Sequence, residues 1–155
     1  MGRIYSATFS ASAFTVAVDA FEVVAPADSA VLIHELHLSQ GTELGDAAEE
    51  QLLVLVRTGF TTSGSGGSAF TPIPRSLGEA AFGGTAEFMN TTQAVNGTAV
   101  NHHAEYWNIR VPYQKIWTPE TRIVISPSAR LVVTLPAPTD SVTAAGTLVF
   151  EEIGG

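Results

Sequence analysis

Alternation of hydrophobic and polar positions dominates the chain and predicts β-strands. An apolar residue recurs at most of the alternate positions in residues 14–20, 30–39, 52–60 and 142–150. A period of two is typical of a strand with one buried face, whereas a helix repeats its apolar face every three to four residues. In residues 52–60 both faces are largely apolar, which predicts a central strand covered on both sides.

The same pattern assigns individual side chains to the buried faces of these strands. A hairpin is also predicted, because the apolar runs 123–125 and 131–135 flank the turn sequence Ser126-Pro127-Ser128. The predicted buried positions are Phe14, Val16, Val18 and Ala20 in the first segment, Leu32, Leu36 and Leu38 with His34 among them in the second, Leu52, Val54, Val56, Thr58 and Phe60 in the third, and Val142, Ala144, Leu148 and Phe150 in the last.

Proline and glycine interrupt the pattern at regular intervals, as expected for about eight to ten short strands. We therefore predict an all-β fold, a single antiparallel β-sandwich over residues 1–155 that is jelly-roll-like and has long loops. At most one short helix is expected, at residues 76–82, where Ser76 would be the N-cap and Glu79 would complete a capping box. A further turn of helix is possible from Asp46 to Leu52.

Two segments are candidates for contacts outside the sandwich. Residues 61–69 are rich in glycine and serine, a composition that behaves as flexible coil, and predict a long protruding loop. Residues 1–9 are interpreted as an N-terminal arm or an edge strand. The N-terminal segment has no apolar run of signal-peptide length, so we expect synthesis in a cytoplasm.

Composition narrows the classes of partner. The net charge is −8, which argues against nucleic acid and against an anionic membrane surface. Cysteine is absent, so disulfides and thiolate metal sites are excluded. Charged residues make up only 14% of the chain, against about 25% in typical proteins, which suggests a surface covered in an assembly.

Three polar groups resemble metal sites, but none has the required spacing. His34 and His37 are three residues apart and would face opposite sides of a strand. His103 and Glu105 would share a face with Trp107, and together with His102 they suggest a polar sheet face or a subunit contact. The acidic segment 43–50 lacks the spacing of a calcium loop, although it could supply oxygen ligands; its carboxylates are Glu43, Asp46, Glu49 and Glu50.

No catalytic signature was found in the chain. A Gly-x-Ser-x-Gly elbow and a phosphate-binding loop are both missing from the sequence. We therefore predict that the protein is not an enzyme and has no cofactor. Four aromatic residues fall within twelve positions, namely Tyr106, Trp107, Tyr113 and Trp117. Such a cluster anchors a protein interface, stacks on sugars or belongs to the core, and we favour an interface for at least one member.

Several segments along nearly the whole chain together carry a family resemblance. They are GRIYSA at 2–7, LGDA at 44–47, TSGSGGS at 62–68, TPIP at 71–74, NTT at 90–92, GT at 97–98, YWNIR at 106–110, TPE at 118–120 and LVFEEI at 148–153. In these features the chain resembles the capsid decoration (cement) proteins of tailed bacteriophages, which are short β-sandwich virion proteins.

The resemblance implies a structural role on the virion. A protein of this type binds the outer surface of the capsid, bridges major capsid protein subunits, and forms a homo-oligomer, with a trimer favoured. The arm and the Gly/Ser loop would touch capsid or a sister subunit, and the aromatic residues would anchor a subunit interface. The residues assigned to these contacts are Arg3, Ile4, Tyr5, Ser63, Ser65, Phe70, Tyr106, Trp107 and Trp117.

Two other classes of function stay open on the sequence. One is a carbohydrate- or receptor-binding jelly roll of a tail or head fibre, which requires Trp107 or Trp117 to be exposed. The other is a metal-dependent enzyme of the cupin type, which requires stoichiometric metal.

Overall fold

The computed structural model describes residues 2–41 and 50–154, and within them every regular element is a strand. The strands form two antiparallel sheets that pack face to face, so the predicted β-sandwich is confirmed. The strands are β1 (Arg3–Phe14), β2 (Val18–Val24), β3 (Ala30–Gln40), β4 (Gln51–Thr62), β5 (Ser68–Phe70), β6 (Ile73–Pro74), β7 (Thr85–Asn90), β8 (Val95–Asn108), β9 (Tyr113–Ile116), β10 (Ile123–Ile125), β11 (Arg130–Leu135) and β12 (Val142–Ile153).

The order of the strands is that of a jelly roll. One sheet, here called sheet A, has the order β10-β3-β12-β1-β6, with β9 also bonded to β3. The other, sheet B, has the order β5-β7-β2-β11-β4-β8. The chain changes sheet at every connection between consecutive strands except β4–β5, β7–β8 and β9–β10. The strands β1–β12–β3–β9 of sheet A and β2–β11–β4–β8 of sheet B correspond to the two four-stranded sheets of a jelly roll.

Side chains from the inner faces of both sheets form the hydrophobic core. Phe9 of sheet A lies 5.1 Å from Phe21 of sheet B, measured between ring centroids. Tyr5 and Phe150 stack within sheet A at 5.8 Å. All four rings are at most 3% exposed. Each contributes about 1.5–3 kcal/mol on burial, so the aromatic layer is a major part of what holds the sheets together.

The predicted alternation is correct in β12 and in the first half of β4. Leu52, Val54 and Val56 of β4 are at most 1% exposed, and the intervening residues face outward. Thr58 and Phe60, which were also predicted to be buried, are only half-buried, because the register of β4 shifts after Val56 and again after Thr58. The four apolar positions predicted for the last strand are likewise buried in β12. However, β4 is next to the edge of sheet B rather than central, and its outer face is only half-buried.

Two predicted strand features are wrong because the chain bends where the pattern continues. Residues 14–20 are not one strand: β1 ends at Phe14, β2 begins at Val18, and Val16 between them is 46% exposed. In β3 the register with β12 shifts by one residue, and His34 has no partner in β12. As a result Ile33 and Leu36 both point inward. Leu32 therefore lies on the outer face.

The predicted hairpin and the predicted helix do not form. The run 123–125 is β10, which pairs with β3 in sheet A, whereas 131–135 belongs to β11 in sheet B. The turn Ser126-Pro127-Ser128 therefore connects two sheets. Residues 76–82 contain a turn at 77–78 and are otherwise irregular; Gly78 has a φ of 89°, a left-handed value that ends a helix. The suggested helical turn from Asp46 lies mostly outside the described residues.

Candidate functional site

The first predicted contact segment is part of the sandwich. Residues 3–9 form the first half of β1 and pair with β12, and β6 covers the other side of β1 at Tyr5 and Ser6. Arg3 donates to the buried Glu152 carboxylate at 3.0 Å. Tyr5 is completely buried, and its hydroxyl donates to the Ala80 carbonyl oxygen at 3.0 Å. Of the two interpretations of this segment, the free arm is wrong: it is a strand, next to the short edge strand β6. Tyr5 is a core residue and not a contact residue, whereas Ile4 remains 36% exposed.

The predicted aromatic group divides into core and surface residues. Trp107 is 2% exposed, and its indole N–H donates to the Val111 carbonyl oxygen at 2.8 Å. Trp117 is 6% exposed and packs edge-on against His103. Both tryptophans belong to the core, which corrects their assignment to an interface and removes the exposed platform that sugar stacking requires. Tyr106, on the opposite face of β8, is 66% exposed.

The Gly/Ser segment is held by hydrogen bonds, so the prediction of a flexible loop is wrong. The Ser63 hydroxyl donates to Glu22 Oε1 at 2.6 Å, and the Gly64 N–H donates to Glu22 Oε2 at 2.9 Å. Ser65, itself exposed, exchanges two backbone hydrogen bonds with Thr92. A Cβ at Gly67 would lie 2.2 Å from the Phe88 carbonyl oxygen, so glycine here permits close approach of the backbone.

Phe70 follows this segment and is a partly buried residue of β5. Its ring lies 5.4 Å from that of Phe88, and both pack against the hydrophobic core. Phe70 is therefore only partly accessible to a partner.

A buried polar network lies beneath the Gly/Ser segment, and sequence patterns did not reveal it. Glu22 is 1% exposed, and its carboxylate pairs with Arg130 and accepts from Asn90 Nδ2 at 3.0 Å. Asp19, also fully buried, accepts from the Ala94 N–H and from the Thr134 hydroxyl. Burial raises the pKa of the Asp19 carboxyl above its ordinary value, although these hydrogen bonds oppose the shift. The network fixes the loop to β2.

His103 of β8 connects sheet B to sheet A. His103 Nε2 lies 2.7 Å from the Tyr113 hydroxyl of β9 and 3.2 Å from Glu105 Oε2. His103, Glu105 and Trp107 share one face of β8, as predicted. Burial and the Lys115 charge lower the pKa of His103, while Glu105 opposes them, so the imidazole is mainly neutral at pH 7. Burial likewise raises the pKa of Tyr113, which keeps its hydroxyl protonated.

The other polar residues that were considered as metal ligands each have a separate partner in the structure. His34 pairs with Glu151 at 3.1 Å, and His37 pairs with Glu35 at 3.0 Å. His102 bonds the Thr58 hydroxyl at 2.7 Å. Among the described residues no three His, Asp or Glu side chains are placed to hold a metal ion. Glu43, Asp46 and Glu49 lie outside the described ranges, and Glu50 accepts from the Thr139 N–H.

Exposed apolar side chains concentrate on the outer face of sheet A. The strand registers place four residues side by side in one row across the sheet, in the order Ile4, Glu151, Leu32 and Val124. Ile73 lies beside Ser6 in the neighbouring row. Five strands span about 19 Å at the usual spacing. The set, here called the sheet A patch, consists of Ile4, Ile73, Ile116, Val124 and Ile153, which are 36–69% exposed.

The centre of the sheet A patch is polar but internally satisfied. Glu151 accepts from His34 Nε2 through one oxygen and from the Gly2 N–H at 3.0 Å through the other. Val149, in the neighbouring row, is 3% exposed. A partner that covers this face would therefore bury a carboxylate whose two oxygens already accept hydrogen bonds, which avoids the cost of an unpaired charge.

The opposite end of the same face has a shallow groove of about 470 Å³. Its lining mixes polar side chains, such as Thr8, His37 and Gln114, with the apolar or aromatic residues Phe9, Leu38, Pro112 and Tyr113. None of the five members of the sheet A patch lines this groove, so the two are separate features of the face.

Comparison of the chain with protein-family models, with curated proteins and with solved structures found no match. Within the described residues no helix occurs that could cross a membrane.

Proposed function

We propose that the chain is a non-catalytic structural protein of a bacteriophage virion, which binds the outer surface of the capsid and stabilises it by bridging major capsid protein subunits. The observation that carries the proposal is the sheet A patch. Five of the eleven large exposed hydrophobic side chains of the described residues lie there. Exposed apolar side chains grouped on one face around a satisfied polar centre are a feature of protein interaction sites.

The chemistry of the patch suits a rigid protein partner. Every member is Ile or Val, whose branched side chains have restricted χ1 angles on a strand and so lose little freedom on binding. All five strands that carry them belong to one hydrogen-bonded sheet, so the face is already organised before a partner binds. A preorganised face favours the repeated docking that a capsid lattice requires.

Weak contacts at one site are sufficient in this role. A capsid presents the same site many times, and an oligomer that engages several sites gains an effective concentration for each further contact. The low charge content of the surface fits a protein that spends its functional life covered by neighbours. The site of action in this proposal is the capsid surface, after synthesis in the host cytoplasm.

Ile73→Asp and Ile116→Asp, combined, are expected to weaken binding to DNA-filled particles at least roughly a hundredfold. Each change removes about 1.5–3 kcal/mol of apolar burial and adds a carboxylate that the partner must desolvate. Binding is measured by co-sedimentation of the purified protein with DNA-filled particles. The particles are purified from the lysate in which the chain is made and are first stripped of the wild-type protein that they already carry.

The matched control is Val16→Asp combined with Val111→Asp, two residues of similar exposure outside the patch. Both double variants should unfold at the wild-type temperature within a few degrees, and only the first should lose binding. Equal binding of the two variants would contradict the role of the patch, and wild-type protein that does not bind would contradict the proposed function.

A further inference from the structure

Among the described residues, strand β8 is the outermost strand of sheet B, and no other strand covers its outer edge. It spans 14 residues and is exposed along most of its length. Natural proteins protect such edges with proline, lysine, β-bulges or a covering segment. Val95–Asn108 contains no proline, lysine or arginine, and its register shifts lie between residues 97 and 103, so the regular part of the edge is residues 103–108. Three large exposed hydrophobic residues, Val95, Val100 and Tyr106, lie on this strand.

The pairing of β8 with β4 determines which backbone groups are free. The Ile109 N–H donates to the Glu50 carbonyl oxygen, and the same register continues through Trp107 opposite Leu52. Because antiparallel pairs alternate between bonded and non-bonded, residues 103, 105 and 107 direct their backbone groups toward β4. Ala104 and Tyr106 therefore direct theirs away from the sheet, where another strand can bond to them.

The side chains of His103 and Glu105 favour one register with a second copy. If Ala104 lies opposite Ala104 of the second copy, then the His103 imidazole faces the Glu105 carboxylate of that copy, and the reverse pair is equivalent by symmetry. Two neighbouring registers bond the same backbone groups. One centres on Glu105 and places two carboxylates opposite each other, which is destabilising, and the other centres on His103 and places Glu105 opposite Asn101 instead of an imidazole. The first register also sets each Tyr106 ring diagonally across from the small Ala104 side chain.

We propose that β8 is a self-association edge, through which two copies of the chain pair antiparallel about a twofold axis at Ala104 and join their sheets B into one continuous sheet. The six strands of each sheet B would make twelve. Such a contact is isologous and gives a dimer, whereas a trimer needs a different, heterologous contact. It uses a surface separate from the sheet A patch, so it stands independently of capsid binding.

The first test is the mass of the purified full chain by light scattering after size exclusion, over a range of concentrations. The wild type is expected to reach twice its chain mass of 16.3 kDa. Tyr106→Lys, a protective edge lysine, should weaken association at least roughly tenfold. Ala104→Pro should do the same, because it removes only a donor that faces away from β4. Val16→Lys, at another exposed apolar position, should associate like the wild type.

Amide hydrogen exchange locates the contact. In the associated state the N–H groups of Ala104 and Tyr106 should exchange at least roughly tenfold more slowly than in dilute protein, while that of Val124 at another sheet edge should not change. A chain that stays at 16.3 kDa at every concentration would overturn the proposal. So would a dimer in which Ala104 and Tyr106 gain no protection, since its contact would lie elsewhere.

Discussion

Replacement of Trp107 by alanine is expected to lower the free energy of unfolding by about 3–5 kcal/mol. The side chain is 2% exposed, lies opposite the buried Leu52, and donates its indole N–H to the Val111 carbonyl oxygen. Truncation leaves a cavity in a closely packed core and removes the hydrogen bond to the Val111 carbonyl oxygen. Total stability is about 5–15 kcal/mol for most domains, so the variant should be severely destabilised.

The measurement is urea unfolding in dilute solution, with Tyr106→Ala as the control. Tyr106 is the adjacent residue of the same strand but is 66% exposed, so its replacement should change stability by less than about 0.5 kcal/mol. If both variants have the same midpoint, Trp107 is not a core residue, and its original assignment to an interface becomes tenable again.

Replacement of Glu22 by alanine is expected to cost about 3–5 kcal/mol, because it breaks a buried charge pair from one side. The Arg130 guanidinium would lose its carboxylate, and the donors of Ser63 and Gly64 would lose their acceptor. The Gly/Ser segment should then become mobile. Its amide hydrogens, led by that of Gly64, should exchange faster than in the wild type.

Glu35→Ala is the matched control for the Glu22 variant. Glu35 also pairs with a basic side chain, that of His37, but the Glu35 side chain is 35% exposed, and such surface pairs contribute about 0–1 kcal/mol. Thermal unfolding and hydrogen exchange are compared for the two variants. Equal loss of stability, with unchanged exchange at Gly64, would mean that the network does not hold the segment.

The alternation of residues was sufficient to predict the fold class, because burial on one face follows directly from strand geometry. Prediction from this alternation failed where the chain changes direction but the hydrophobic pattern continues. The residues Ser126-Pro127-Ser128 are a turn in either arrangement, but a jelly roll uses this turn to pass between sheets. Nothing local distinguishes a hairpin from such a crossover.

Composition was a poor guide to the state of the Gly/Ser segment. Glycine permits both flexibility and close backbone approach, and here Gly64 and Gly67 lie against backbone carbonyl groups. The acceptor that orders the segment, Glu22, is 41 residues away from Ser63 in the sequence. Its burial depends on a tertiary arrangement that no local pattern encodes.

The candidate site was predicted only in part. Ile4 and Tyr106 lie at the surface, and the face shared by His103, Glu105 and Trp107 was correct; that same alternation places Trp107 inward and Tyr106 outward. The sheet A patch was missed except for Ile4. Its members come from β1, β6, β9, β10 and β12, and an exposed isoleucine has the same sequence signature as a buried one.

The most direct measurement of the proposed function is quantitative mass spectrometry of DNA-filled particles purified from the lysate in which the chain is made. A capsid-covering protein should be present at a ratio near one to the major capsid protein, or at a simple fraction of it. A few copies per particle would contradict a lattice-covering role and indicate a tail or fibre component. Absence of the chain from the particles would contradict the assignment to the virion.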